Sequence, residues 1–273
     1  MTGEMRVFGV THLLLKRRTK QRKGKKLRKL ETGHAKVREQ LMQKQVQSNE
    51  VLRLLGAFRK KGGFPNRIAL ETNPRKKRLF YGKGNDWEDV SGQRFFQAVL
   101  KHARKNGASV IDLEKEPIER LFHHLYWILS EAAINGRDFF PHLIETHSSN
   151  KWKKQPVFSR AILKMALEVN KTLGNRPFSK KWQNQAFDFS DALNVHRSIL
   201  MQKMAVKKGV DAMVVGGGHA AHLKQMGNIT PQYTYRYDLR APLARSDVQN
   251  YLKYRNEISR LHRIATQFFP QTK

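Results

Sequence analysis

Apolar residues in this chain recur with two spacings, continuous or alternating over short stretches and three to four apart over longer ones, and the switches between them predict its elements. Met5 to Val10, MRVFGV, is short, β-branched and aromatic, and predicts a strand running into Gly9-Val10-Thr11-His12. From Ala35 to Lys61 the spacing turns helical, with Val51, Leu54, Leu55 and Phe58 on one face and Gly62-Gly63 as the stop. Arg67 to Glu71, RIALE, predicts the next strand, and Pro74 to Arg78, PRKKR, a basic loop. Ser91-Gly92 introduce a helix carrying Phe96, Val99, Leu100 and Ala103, closed by Asn106-Gly107, after which Ser109 to Leu113 reads as strand. Strand, helix and strand in succession predict a parallel sheet.

Pro117 opens a helix whose Leu121, Phe122, Leu125, Ile128 and Leu129 form a broad apolar arc, and Val157 to Leu173 predicts another, stopped by Gly174. A further helix is read from Ser190 to Lys207. Asp211 to Val215 predicts a buried strand, followed by the turn Gly216-Gly217-Gly218 and a short helix from Ala220 to Met226. Thr234 to Leu239 reads as a last strand and Asp247 to Phe268 as a closing helix. The pattern predicts an α/β chain, a mostly parallel sheet flanked by helices, forming one domain over residues 1–273 with a basic, flexible insertion at 16–35 after the first strand.

Composition narrows the functional classes. Hydrophobic residues make up 39% and aromatics 10%, enough for a folded chain. No apolar run approaches the ~18 residues that cross a bilayer and no secretory leader is visible, so a soluble, intracellular, cytoplasmic protein is expected. Cysteine is absent, which removes disulfides, thiolate metal sites and cysteine nucleophiles. Lys and Arg number 53 against 22 Asp and Glu, a net charge of +31. A field of that size attracts polyanions such as nucleic acid or an anionic membrane surface. Its densest segment holds Lys16, Arg17, Arg18, Lys20, Arg22, Lys23, Lys25, Lys26, Arg28 and Lys29, with no acid among them. The remainder is still strongly basic without it, so the bias belongs to the whole chain as well as to a candidate binding arm.

Candidate chemistry gathers at predicted strand ends. Gly9-x-x-His12 and Gly216-x-x-His219 each close a predicted strand, and a side chain at the carboxyl end of a parallel strand faces the crevice where open α/β sheets bind ligands. Glu71 ends the apolar run Ile68-Ala69-Leu70 and is either a solvated strand-end residue or part of that crevice, with Glu114 a weaker candidate. Gly216, Gly217 and Gly218 offer backbone N–H groups to an anion, although the run lacks a P-loop Lys-Ser/Thr pair. His222, three residues beyond His219, shares a helix face with it if the helix starts promptly. His123 and His124 read as packing and surface residues, and His147 as a loop residue. Arg197 falls on the stripe of Leu193, Leu200 and Met204, so its head either snorkels to water or reaches a site carboxylate or substrate oxyanion.

The order of these motifs resembles the TraB/PrgY/GumN/Tiki superfamily, with erythromycin-esterase-like and ChaN-like proteins as more distant relatives. The resemblance runs from the first Gly-x-x-His through SNEVLRLLGAF, RIALETNPRKKRL, SGQRFFQAVLKHARKNGASVIDLEKE and ALNVHRSILMQKMA to VDAMVVGGGHAAHLKQM. It implies a TraB-, Tiki- and EreA-like α/β fold and a hydrolase of peptides or of small esters and amides. His12, Glu71, Arg197 and His219 match the residues the superfamily is thought to use. The resemblance further implies either one divalent metal (Zn, Mn or Co) on His12, Glu71 and His219, with Arg197 on the oxyanion, or a metal-free histidine base. The chain departs from the pattern in the basic insertion after His12, in His196 standing where relatives often have glutamate, and in lacking the C-terminal membrane segments of many TraB proteins. The competing expectation is a non-enzymatic chain that grips RNA, DNA or an anionic membrane through Lys16 to Lys29.

Overall fold

The structure, a computed structural model, describes residues 5–10, 15–16, 49–60, 62–71, 87–88, 90–113, 116–135, 139, 141, 143, 155–174, 179–227, 233–234 and 237–270. His12, Glu114, His147, the loop 74–78 and the basic run beyond Lys16 lie outside them. The chain divides into two compact units, one of Met1–Asp112, Gly209–Gly217 and Pro231–Arg236, the other of Leu113–Lys208, Gly218–Thr230 and Tyr237–Lys273.

The first unit is a sheet with helices packed on it. Strands β1 (Arg6–Val10), β3 (Arg67–Leu70), β5 (Ser109–Asp112), β6 (Ala212–Gly216) and β7 (Tyr233–Thr234) lie in the order β5-β3-β6-β1-β7. Every neighbouring pair is parallel, as the strand-helix rhythm predicts. A separate antiparallel pair joins β2 (Leu15–Lys16) to β4 (Trp87–Glu88). The central strands β1, β3 and β6 are buried on both faces, which is why they read as continuous apolar runs. Phe8, Val10, Ile68, Leu70, Ala212 and Val214 form one face of the sheet. Against it pack Val51, Leu54, Leu55 and Phe58 of α1 (residues 49–60) and Phe95, Phe96, Val99 and Ala103 of α2 (Val90–Lys105). Phe58 meets Phe8 edge-on at 4.8 Å between ring centroids.

Asp211 ties three strands together where they begin. Its Oδ2 accepts the N–H groups of Asn66 and Arg67, both at 2.9 Å, its own N–H donates to the Arg67 carbonyl, and its carbonyl accepts from Arg6. Removing the carboxylate strands two backbone donors at the exposed start of β3. Asp211→Ala is therefore expected to cost about 1–2 kcal/mol and Asp211→Asn, which keeps an acceptor, less, as read by urea unfolding.

The connections also define where a ligand would bind. After β3 the chain runs through α2 to β5 at one edge, whereas after β6 it goes to β7 at the other. β3 and β6 are neighbours whose connections depart in opposite directions, so their carboxyl ends flank the switch point of the sheet.

The second unit is helical: α3 (Pro117–Asn135), α4 (Pro156–Leu173), α5 (Lys180–Lys207), α6 (Gly217–Gln225, entering from the first unit), α7 (Tyr237–Lys253) and α8 (Arg255–Phe268). α5 packs on α3 and α7, and α4 on α8. No helix among the described residues is long and apolar enough to cross a membrane.

Three expectations about elements are corrected. α5 starts ten residues before the expected Ser190: Ser179 Oγ accepts the Trp182 N–H at 3.0 Å as an N-cap, and Trp182, Ala186 and Phe189 continue the buried face upstream. Tyr233, Tyr235 and Tyr237 alternate like a strand, yet only Tyr233 and Thr234 pair with β1, and Tyr237 already opens α7. The expected closing helix is two, broken at Tyr254 (φ −103°, ψ 18°), whose ring packs on Phe189 at 4.9 Å.

Candidate functional site

Glu71 follows directly on β3, at the switch point. It is 8% exposed, so the solvated reading of this carboxylate does not hold. Its N–H donates to Val214, continuing the ladder, and its Oε2 accepts the N–H of Gly216, the last residue of β6, at 2.5 Å. A carboxylate thus holds the backbone donor that an anionic ligand of the glycine run would seek. Gly217 and Gly218 are not a turn, since α6 begins at Gly217 and β6 passes into helix without a break. Gly9 lies inside β1, paired with Val215 on one side and Thr234 on the other.

The prompt start of α6 places His219 and His222 one turn apart, with ring centroids 6.1 Å from each other. Both rings turn to one hydroxyl. Ser198 of α5 sets its Oγ 2.8 Å from His219 Nδ1 and 3.0 Å from His222 Nδ1, and 3.1 Å from the Asn194 carbonyl. The far nitrogen of His222, Nε2, lies 2.9 Å from Asp247 Oδ2 of α7. Ser198, His219 and His222 are all buried, whereas Asp247 is partly exposed.

Arg197 resolves the conflict in its stripe. It is 3% exposed, so its head does not snorkel. Nε donates to Glu119 Oε1 of α3 at 2.9 Å, one terminal nitrogen to Asn194 Oδ1 at 3.1 Å and the other to His123 Nδ1 at 2.9 Å. Because a guanidinium only donates, His123 accepts at Nδ1 and carries its proton on Nε2. Arg197 does reach a carboxylate, but a structural one, and within this unit Arg197 and His219 have separate partners.

Burial perturbs several groups around these contacts. Asp191 of α5 is pushed up to about 7, first by desolvation and then by the charges of Asp247 and Asp188. Burial also raises Tyr126, against the lowering effect of Arg197. His196, whose Nε2 lies 3.3 Å from His262 Nδ1 on α8, is lowered to about 3 by desolvation, with His262 and Lys203 adding to the effect.

Two pH dependences of opposite sign follow. An unfolded histidine titrates near 6.5, so the stability that His196 leaves intact above that pH falls by roughly 1.4 kcal/mol per unit as pH drops from 6.5 towards 3. A His196→Phe variant is expected to gain on the wild type across that window in thermal unfolding. The folded Asp191 titrates above its unfolded value near 3.9, so its protonated form favours folding at low pH and that contribution is lost as pH rises to about 7. Asp191→Asn is accordingly expected to raise the midpoint above pH 7 and to leave it nearly unchanged at pH 3.5.

Of the residues expected from sequence, Glu71 and the glycines fall in or at the edge of the sheet unit and His219 and Arg197 in the helical one. Among the described residues no group of three or more His, Asp or Glu side chains is arranged to hold a metal ion. The metal set implied by the resemblance also requires His12, so the chemistry below is derived from side chains alone. Sequence reading passed over Ser198, Glu119, Asn194, Asp191 and Asp247. Glu119 looked like an ordinary first-turn acid of α3, and Asp247 like the start of the closing helix. The buried Arg197 was the one signal, since it requires a carboxylate. Comparison with protein-family models, with curated proteins and with solved structures yields no match.

Proposed function

We propose that this chain is a TraB-like α/β hydrolase of peptides or of small esters and amides, with His219 as the general base that activates water. One observation carries the reading: a buried carboxylate, Glu71, stands at the switch point of a parallel sheet and holds the N–H of Gly216, three residues before His219. Ser198 supports it by engaging His219 at Nδ1, which leaves Nε2 as the nitrogen for proton abstraction. In this reading Glu71 fixes the junction of β6 with α6, and Arg197, committed to Glu119, joins α5 to α3 rather than meeting an oxyanion.

The test is hydrolysis of p-nitrophenyl esters and quenched fluorogenic peptides by the full chain, in EDTA and with added Zn, Mn or Co. Turnover in EDTA supports the histidine base. Turnover only with one of the ions supports the metal form implied by the resemblance. Absence of turnover in every arm contradicts the hydrolase.

The second reading, polyanion binding, is favoured by the charge of +31 and by exposed cations such as Arg160, Lys164 and Lys171 along one face of α4. It predicts RNA binding that weakens steeply with salt, by a factor of ten or more between about 50 and 200 mM, and that is lost on deleting residues 16–29. Binding that is insensitive to salt or to that deletion contradicts it.

A further inference from the structure

We infer that Asp247 sets the tautomer of His219 through His222 and Ser198, making these three the positioning residues of the base. The inference rests on His219 as the proposed base but is argued from hydrogen-bond direction alone. The contacts form an unbroken line: Asp247 Oδ2 to His222 Nε2 at 2.9 Å, His222 Nδ1 to Ser198 Oγ at 3.0 Å, and Ser198 Oγ to His219 Nδ1 at 2.8 Å.

An ionised carboxylate only accepts, so Nε2 of His222 must donate to Asp247. In a neutral imidazole the second nitrogen is then a lone pair, and His222 Nδ1 accepts the proton of the Ser198 hydroxyl. With its hydrogen so committed, Ser198 Oγ serves His219 only as an acceptor. His219 therefore carries its proton on Nδ1 and its lone pair on Nε2. The competing acceptor for the hydroxyl is the Asn194 carbonyl at 3.1 Å. Choosing it, or choosing His219, would require both nitrogens of His222 to donate and so make a buried imidazolium of a ring that is 2% exposed. Neutral His222 leaves a single pattern that satisfies every contact.

Geometry keeps the line in place. His219 and His222 are held one turn apart by α6, Ala221 between them packs on Ala244 of α7, and Asp247 lies one turn further along α7. Ser198 is fully buried in mid-helix, which suits a fixed intermediary and excludes it as an accessible nucleophile. An unconstrained imidazole favours the proton on Nε2, so the line imposes the less common form on His219, the one in which Nε2 is basic.

The test is a two-bond proton–nitrogen correlation spectrum of the full chain labelled with 15N-histidine, recorded at pH 8. The signals of His219 and His222 are assigned by their loss in His219→Gln and His222→Gln. The wild type is expected to show His219 protonated on Nδ1 and His222 on Nε2. Ser198→Ala should return His219 to the Nε2-protonated form while His222 keeps its own. Asp247→Ala, at the partly exposed end of the line, should release both rings, and Asp247→Asn, which retains an acceptor, should restore the wild-type pattern. His219 protonated on Nε2 in the wild type, or unmoved by both Ser198→Ala and Asp247→Ala, would overturn the inference. The spectra do not depend on turnover. A wrong tautomer in an active chain removes this inference alone, and a right one in an inactive chain removes the hydrolase reading alone.

Discussion

Replacing His219 with glutamine is expected to lower the rate of ester or peptide hydrolysis by about 10²–10⁴-fold, the range that a positioned acid–base side chain contributes. The substitution removes the titratable ring but keeps an amide able to meet the Ser198 hydroxyl, which otherwise loses one of its close contacts at 2.8 Å. Stability should therefore change by less than 1–2 kcal/mol, on the order of one hydrogen bond. Steady-state kinetics beside urea unfolding separate the two effects. A large fall in rate with an unchanged unfolding midpoint marks a chemical role, whereas a parallel fall in both marks a packing role. His222→Gln should cost less than His219→Gln, because it disturbs the tautomer of the base and not the base itself.

Glu119→Ala is expected to destabilise the helical unit by about 3–5 kcal/mol, the largest loss in stability anticipated for a single substitution. Glu119 and Arg197 are 1% and 3% exposed, and their contact at 2.9 Å joins α3 to α5. Once the carboxylate is gone, the guanidinium keeps its charge and retains only Asn194 Oδ1 and His123 Nδ1 among these acceptors, both neutral. The cost is that of an uncompensated buried cation, not the net worth of the pair. The double variant Glu119→Leu with Arg197→Met should consequently recover most of the loss, since apolar replacement of a buried pair is often neutral or better. A loss below about 1 kcal/mol in Glu119→Ala, or no recovery in the double variant, would show that Arg197 is not held as described.

The parts of the fold legible in the sequence are those where a local rule decides. β1, β3 and β6 announce themselves because strands covered on both faces need continuous apolar runs. Gly107 and Gly174 mark helix ends through their positive φ of 71° and 72°. Glu71 stood out as a charge at the end of such a run, and His219 through its place after β6. What the sequence concealed depends on neighbours distant along the chain. Gly217 and Gly218 look like a turn, yet the sheet delivers β6 straight into α6, where helix geometry outweighs the weak intrinsic cost of glycine. Ser198 lies 21 residues from His219, and Asp247 lies 25 residues beyond His222. Each is an ordinary polar residue on its own helix, and only the packing of α5, α6 and α7 makes a line of them. Glu119 and Arg197 are 78 positions apart, so the arginine could be flagged as needing an acid without that acid being identifiable.

The most direct test of the proposed activity is turnover of p-nitrophenyl acetate by the wild-type chain and by His219→Gln, side by side at pH 8 and equal folded concentration. The account predicts catalysed hydrolysis above buffer by the wild type and a rate at least about 100-fold lower for the variant. Equal rates for the two proteins, or a wild type no faster than buffer, would contradict it.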